Sequence, residues 1–72
     1  MKHTFRRRRA LRPRPTRHQI NQQIRRLRRL HEMFRVEGAL ELSRPQPDVA
    51  HLHYVRQQIA ALQDAISALE SF

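Results

Sequence analysis

Two prolines, Pro45 and Pro47, lie just past the middle of the chain of 72 residues and limit the folds open to it. Proline lacks a backbone N–H and its ring clashes with the preceding helical turn, so a regular helix does not continue through this segment. On each side of it, apolar residues recur at alternating spacings of three and four, which is typical of amphipathic helices. The sequence therefore predicts two helices joined by a short connection.

The first helix has a readable beginning at Thr16, which forms a capping-box pattern with Gln19. Its apolar stripe consists of residues spaced by four and three: Ile20, Ile24, Leu27, His31, Phe34 and Gly38. Leu30 widens this stripe, and His31 within it is interpreted as a packed histidine. We predict a helix over residues 17–42, ending before the proline segment.

The second helix begins after Asp48, whose carboxylate is a favourable N-cap and interacts well with the helix dipole. Its stripe has the same alternating spacing: Leu52, Val55, Ile59, Leu62, Ile66 and Leu69. We predict a helix over residues 49–70. Because the connection is short, the two helices are expected to fold back on each other in antiparallel fashion.

The position of the connection also predicts the register between the helices. Centring it between Pro45 and Gln46 places Gly38 opposite Leu52 or His53. Because glycine has no side chain, we expect a close crossing of the two helices at that point.

The N-terminal segment, residues 1–15, is predicted to be a flexible basic arm because its like charges repel and Pro13 and Pro15 prevent a continuous helix. Residues 1–42 contain 13 of the 15 Lys and Arg residues in a chain of formal net charge +9. The predicted fold class is all-α: an antiparallel two-helix hairpin over residues 16–72 with a disordered Arg-rich N-terminal arm.

Arginine at this density indicates an anionic partner, because the guanidinium forms paired hydrogen bonds with phosphates and carboxylates. The candidate contact residues lie in the arm and on the first helix: Arg6, Arg7, Arg8, Arg9, Arg12, Arg14, Arg17, Arg25, Arg26, Arg28 and Arg29. Only Glu32 is spaced to pair with Arg28 or Arg29 within the helix. The sequence leaves open whether the partner is RNA, DNA or an acidic protein surface.

A second candidate surface consists of Met33, Val36 and Leu40, which lie roughly opposite the first apolar stripe. An isolated hairpin exposes them, so we interpret them as a docking patch for another protein or for a second copy of the chain. So short a chain builds only a small core, and association is expected to bury additional apolar surface.

The sequence offers no constellation for catalysis, a metal or a cofactor, and we predict a protein that is not an enzyme. It contains no Cys and a single Gly, which excludes thiolate chemistry and a glycine-rich phosphate loop. His51 and His53 point to different faces of a helix and form a poor metal pair. No apolar run approaches the ~20 residues that span a bilayer, so no membrane partner is expected.

The opening MKHTFRRRR, the proline break and the short helical hairpin together resemble the small RNA-polymerase-binding transcription regulators of lytic Xanthomonas phages. The resemblance covers the full length and rests on overall pattern. It implies binding to bacterial RNA polymerase at the N-terminus of the largest subunit near the RNA exit channel, with inhibition of sigma-dependent initiation and suppression of intrinsic termination. It also implies nascent RNA nearby, cooperation with the elongation factor NusA, and a location in the host bacterial cytoplasm.

Two other classes of protein remain open. One is a dimeric RNA-binding helical hairpin that acts as an RNA regulator, with two hairpins forming a four-helix bundle. The other is a protamine-like peptide that condenses nucleic acid through charge alone and binds with a steep salt dependence. The regular stripe of the second helix argues against the latter, because charge alone does not require it.

Overall fold

The computed structural model describes residues 14–72, in which two α-helices pack against each other as an antiparallel hairpin. Helix α1 spans Arg17–Leu42 and helix α2 spans Val49–Glu70. No strand occurs between residues 14 and 72. The predicted all-α hairpin is therefore confirmed, while the predicted arm, up to residue 13, lies outside the described residues.

Both helices begin at the predicted caps. The Thr16 hydroxyl accepts a hydrogen bond from the backbone N–H of Gln19 at 3.1 Å, and the Gln19 side chain accepts one from the N–H of Thr16 at 2.9 Å. This exchange completes the capping box. At the second helix, the Asp48 carboxylate accepts from the N–H of His51 at 3.2 Å. Each cap satisfies a backbone donor that the first helical turn leaves without a partner.

The packing between the helices forms a single narrow apolar stripe. Among residues 14–72, Ile20 and Val55 are the only hydrophobic residues that are buried, at 5% and 1% exposed. The other apolar members of the two stripes are half-buried: Ile24, Leu27, Phe34, Leu52, Ile59, Leu62, Ile66 and Leu69. Full burial of such a side chain stabilises a protein by roughly 1.5–3 kcal/mol, and two such residues make a thin core. Burial of further apolar surface against a partner would strengthen it.

The contact at the close crossing differs from the predicted one. Gly38 is buried as expected, but a Cβ at this position would lie 3.3 Å from Cγ1 of Val55, rather than against Leu52 or His53. Side chains on a helix lean toward its N-terminus, which in α2 is the end at the connection. Val55 therefore covers a point on α1 closer to the connection than its own Cα, and counting Cα positions alone misplaces the contact.

Glu41 is a buried polar residue that the sequence analysis did not single out. It follows Gly38 by three residues, so it continues the first stripe, and it is 8% exposed. Its carboxylate accepts a hydrogen bond from the backbone N–H of Asp48 at 3.1 Å and lies 3.5 Å from a guanidinium nitrogen of Arg44. Glu41 thus links the end of α1 to the connection and to the start of α2.

We expect Glu41→Ala to lower the free energy of unfolding by about 1–3 kcal/mol, because the N–H of Asp48 loses its side-chain acceptor. Glu41→Gln retains an oxygen acceptor and should cost less. Urea denaturation followed by circular dichroism measures both. Equal losses for the two variants would mean that this hydrogen bond does not stabilise the connection.

Candidate protein and anion interface

The predicted docking patch lies on the back face of α1, the side opposite its apolar stripe. Met33, Val36 and Leu40 are 65%, 49% and 64% exposed. Their spacings of three and four residues place them on successive turns of one helix face. The structure therefore brings the three residues together on a surface that α2 does not cover.

The exposed apolar surface is wider than the predicted patch. Leu30, assigned to the stripe from sequence, is 43% exposed and lines a shallow groove along α1 with the docking patch and Phe34. Two carboxylates, Glu32 and Glu37, also line this groove. The Phe34 ring meets Tyr54 edge-on, with centroids 6.2 Å apart, and Tyr54 is half-exposed. The apolar surface thus continues from the back face of α1 across its edge to α2.

The predicted anion-contacting arginines fall into distinct groups. Five lie outside the described residues: Arg6, Arg7, Arg8, Arg9 and Arg12. Five others are exposed and make no salt bridge to any residue between 14 and 72: Arg14, Arg17, Arg25, Arg26 and Arg29. The remaining one, Arg28, is engaged by a carboxylate of the second helix.

Arg28 pairs with Glu70 across the hairpin, with 2.6 Å between its Nη2 and Oε2 of the carboxylate. Glu32, the one carboxylate spaced to pair with Arg28 or Arg29 within α1, instead lies 3.3 Å from Arg35. Spacing along one helix gives no indication of the pair with Glu70, which lies on the other helix. Both side chains of the cross-helix pair are substantially exposed, so it contributes no more than about 1 kcal/mol. It nevertheless makes Arg28 less available to an anionic ligand.

Three of the exposed arginines, Arg25, Arg26 and Arg29, form an arginine cluster on the back face of α1. Arg25, Arg29 and Met33 are spaced by four residues each, and Arg26 precedes Met33 by seven, so all four share this face. At 1.5 Å of rise per residue, Arg29 lies about 10 Å along the helix from Val36. The face therefore changes from cationic to apolar along its length, and one ligand can contact both parts.

The histidines contribute packing and polar contacts. His31 is half-buried in the stripe, but its Nε2 is buried without a hydrogen-bond partner in residues 14–72. The Nε2 of His51 lies 3.4 Å from a carboxylate oxygen of Glu37, and its ring stacks against Tyr54 with centroids 6.4 Å apart.

In the described part of the chain, no group of three or more potential ligands is placed to hold a metal ion. Neither of the two described helices is long and apolar enough to cross a membrane.

Comparison of the chain with protein-family models, with curated protein sequences and with solved structures finds no match. The docking patch and the arginine cluster are the two exposed features that the described residues bring together. Both lie on the back face of α1, whereas the stripe of α2 packs the hairpin together.

Proposed function

We propose that this protein is a phage-type transcription regulator that binds bacterial RNA polymerase near the RNA exit channel, inhibits sigma-dependent initiation and suppresses intrinsic termination. The observation that carries the proposal is the juxtaposition of the docking patch and the arginine cluster on one face of α1. A regulator at an exit channel needs an apolar surface to bind the polymerase and cations to engage RNA or acidic channel walls. The identity of the polymerase as the partner comes from the sequence resemblance.

In this proposal the protein acts by binding and occlusion, without catalysis. The docking patch binds the N-terminal part of the largest polymerase subunit, which brings the arginine cluster to the same surface. The arginines, together with those of the predicted arm, contact the phosphates of nascent RNA or acidic side chains of the channel. Filling the channel hinders folding of a terminator hairpin, and occupying the site near it displaces sigma. NusA would cooperate from its neighbouring position, and the site of action is the host bacterial cytoplasm.

Transcription with purified bacterial polymerase tests this function. The template carries one sigma-dependent promoter followed by an intrinsic terminator. We expect the full chain to reduce promoter-dependent transcripts when it is added before sigma, and to increase read-through when it is added to elongating complexes. Unchanged initiation together with unchanged read-through would contradict the proposed function.

The docking patch can be tested separately with a double substitution. We expect Met33→Glu combined with Leu40→Glu to weaken binding to core polymerase at least tenfold, about 1.4 kcal/mol, because two anchors become charged. Helical content should not change, since both side chains are mostly exposed. The matched control is Gln57→Glu with Ala61→Glu, which adds the same charge to exposed positions of α2. Equal weakening by both pairs, measured by fluorescence anisotropy, would show that net charge and not the patch controls binding.

The narrow core favours a second candidate, a dimeric RNA-binding hairpin. Ile20 and Val55 are the only buried hydrophobic residues in the described part of the chain, and pairing two hairpins would cover the docking patch as well. This candidate predicts a stable dimer that binds RNA in a salt-dependent manner without polymerase. Sedimentation equilibrium distinguishes the two, because a monomer at working concentration is incompatible with a dimeric regulator.

A further inference from the structure

We propose that the back face of α1 is one composite docking site for an acidic amphipathic helix of another protein. The apolar groove takes the anchor side chains of that helix, and the arginine cluster binds carboxylates that lie one to two turns beyond the anchors. This inference rests on the proposed function, in which α1 docks on a protein, and specifies what kind of segment it binds.

The length and the helical spacing of the apolar residues along the groove favour a helix as its occupant. The groove follows the axis of α1 from Leu30 to Leu40, about 15 Å at 1.5 Å per residue. An amphipathic helix lying alongside presents apolar side chains at i, i+3 or i+4 and i+7 over the same length. Tyr54, half-exposed beside Phe34, extends the apolar surface at one edge of the groove. Aromatic side chains in such positions contribute strongly to protein interfaces.

The charges around the groove favour an acidic occupant. Of the two carboxylates that line it, Glu32 lies 3.3 Å from Arg35, and Glu37 lies 3.4 Å from His51, which offsets the charge of Glu37 only when protonated; at most one negative charge beside the groove is left to set against the three arginines of the cluster. The arginine cluster makes no salt bridge to any described residue, so the uncompensated charge on this face is positive and lies at the N-terminal end of the groove. A second copy of the chain would bring a further net charge of +9, whereas an acidic segment is attracted.

Two synthetic helical peptides test this site against the full-length protein. Both carry leucine anchors at i, i+3 and i+7; one has three Glu residues in the two turns beyond the anchors, and the other has Gln at the same positions. We expect the Glu peptide to bind at least tenfold more tightly in fluorescence anisotropy at about 0.15 M salt, where charges beyond about 8 Å are screened. Its advantage should disappear in R25Q/R29Q, whereas M33S/L40S should weaken both peptides.

A matched control separates a docking site from general attraction to a cationic chain. R44Q/R56Q removes two charges at exposed positions of the connection and of α2, and we expect it to change the affinity for the Glu peptide less than twofold. Equal affinities of the two peptides, or equal losses in R44Q/R56Q and R25Q/R29Q, would overturn the inference. A concentration-dependent dimer that M33S/L40S abolishes would assign the groove to a second copy and would likewise overturn it.

The outcome also distinguishes this inference from the proposed function. Binding to core polymerase without preference for the Glu peptide would exclude the acidic-helix site and would be compatible with the proposed transcription regulator. Preference for the Glu peptide without any effect on transcription would support the docking site and exclude RNA polymerase as the partner. Tighter binding of a single-stranded RNA oligonucleotide that depends on the arginine cluster, with no peptide binding, would assign these arginines to RNA.

Discussion

Val55→Asp is expected to unfold the hairpin and to remove most of its helical circular dichroism signal. Val55 is 1% exposed and lies at the close crossing with Gly38, where its Cγ1 is 3.3 Å from the position of a Cβ on the glycine. A carboxylate there would be buried without a partner, which costs several kcal/mol. Val55 is also one of two buried hydrophobic residues among residues 14–72, so the rest of the stripe contributes little stability to offset the loss.

The control for this prediction is Gln57→Asp, which introduces the same residue at an exposed position of the same helix. We expect it to change the free energy of unfolding by about 0.5 kcal/mol or less. Ile59→Asp, at a half-buried position one turn farther on, should destabilise in the same direction. Retention of the wild-type helical signal and urea midpoint by Val55→Asp would show that the packing at Gly38 does not hold the helices together.

Deletion of residues 2–14 is expected to abolish the proposed effect on transcription and to leave the hairpin folded. The deletion removes seven of the 15 Lys and Arg residues, whereas the capping box at Thr16 and both helices remain. Each lost phosphate contact with single-stranded RNA should make the negative slope of the logarithm of the binding constant against log salt shallower by about 0.7. The deleted protein should therefore bind RNA more weakly and with a shallower salt dependence.

A variant with residues 2–14 in scrambled order serves as the control, because it keeps the charge and length of the arm. We expect it to retain RNA binding with the wild-type salt slope. Circular dichroism should give the same helical signal for residues 16–72 in all three proteins. Full activity of the deleted protein in the transcription assay would exclude the arm from the mechanism.

Much of the fold could be predicted because its signals are local. Thr16 with Gln19, and Asp48, are each recognised by the hydrogen bonds they make within one helical turn. Pro45 and Pro47 interrupt the helix through their own covalent geometry. The exposure of the docking patch could also be predicted, because residue spacing along a regular helix fixes the angle between the patch and the apolar stripe.

Contacts between distant residues could not be predicted in the same way. Glu41 occupies a stripe position, but hydropathy gives no reason to bury a carboxylate. Its role as a hydrogen-bond acceptor arises because the connection between the helices brings the backbone N–H of Asp48 close to the end of α1. The pair of Arg28 and Glu70 joins residues 42 positions apart, so helical spacing within α1 could not reveal it. The place of Tyr54 could have been inferred from one feature of the sequence. It immediately precedes Val55, a stripe residue that the structure buries, and a residue at that position lies at the edge of the packed face of α2.

Docking of the back face of α1 on RNA polymerase, as proposed, is tested by direct binding to purified core enzyme. The full chain, Met33→Glu/Leu40→Glu and the α2 control pair are each titrated against nuclease-treated core polymerase. We expect the full chain and the control pair to bind after nuclease treatment and the patch variant to bind at least tenfold more weakly. Loss of all binding on nuclease treatment, with RNA binding retained by the protein alone, would rule out direct docking and favour an RNA-binding hairpin.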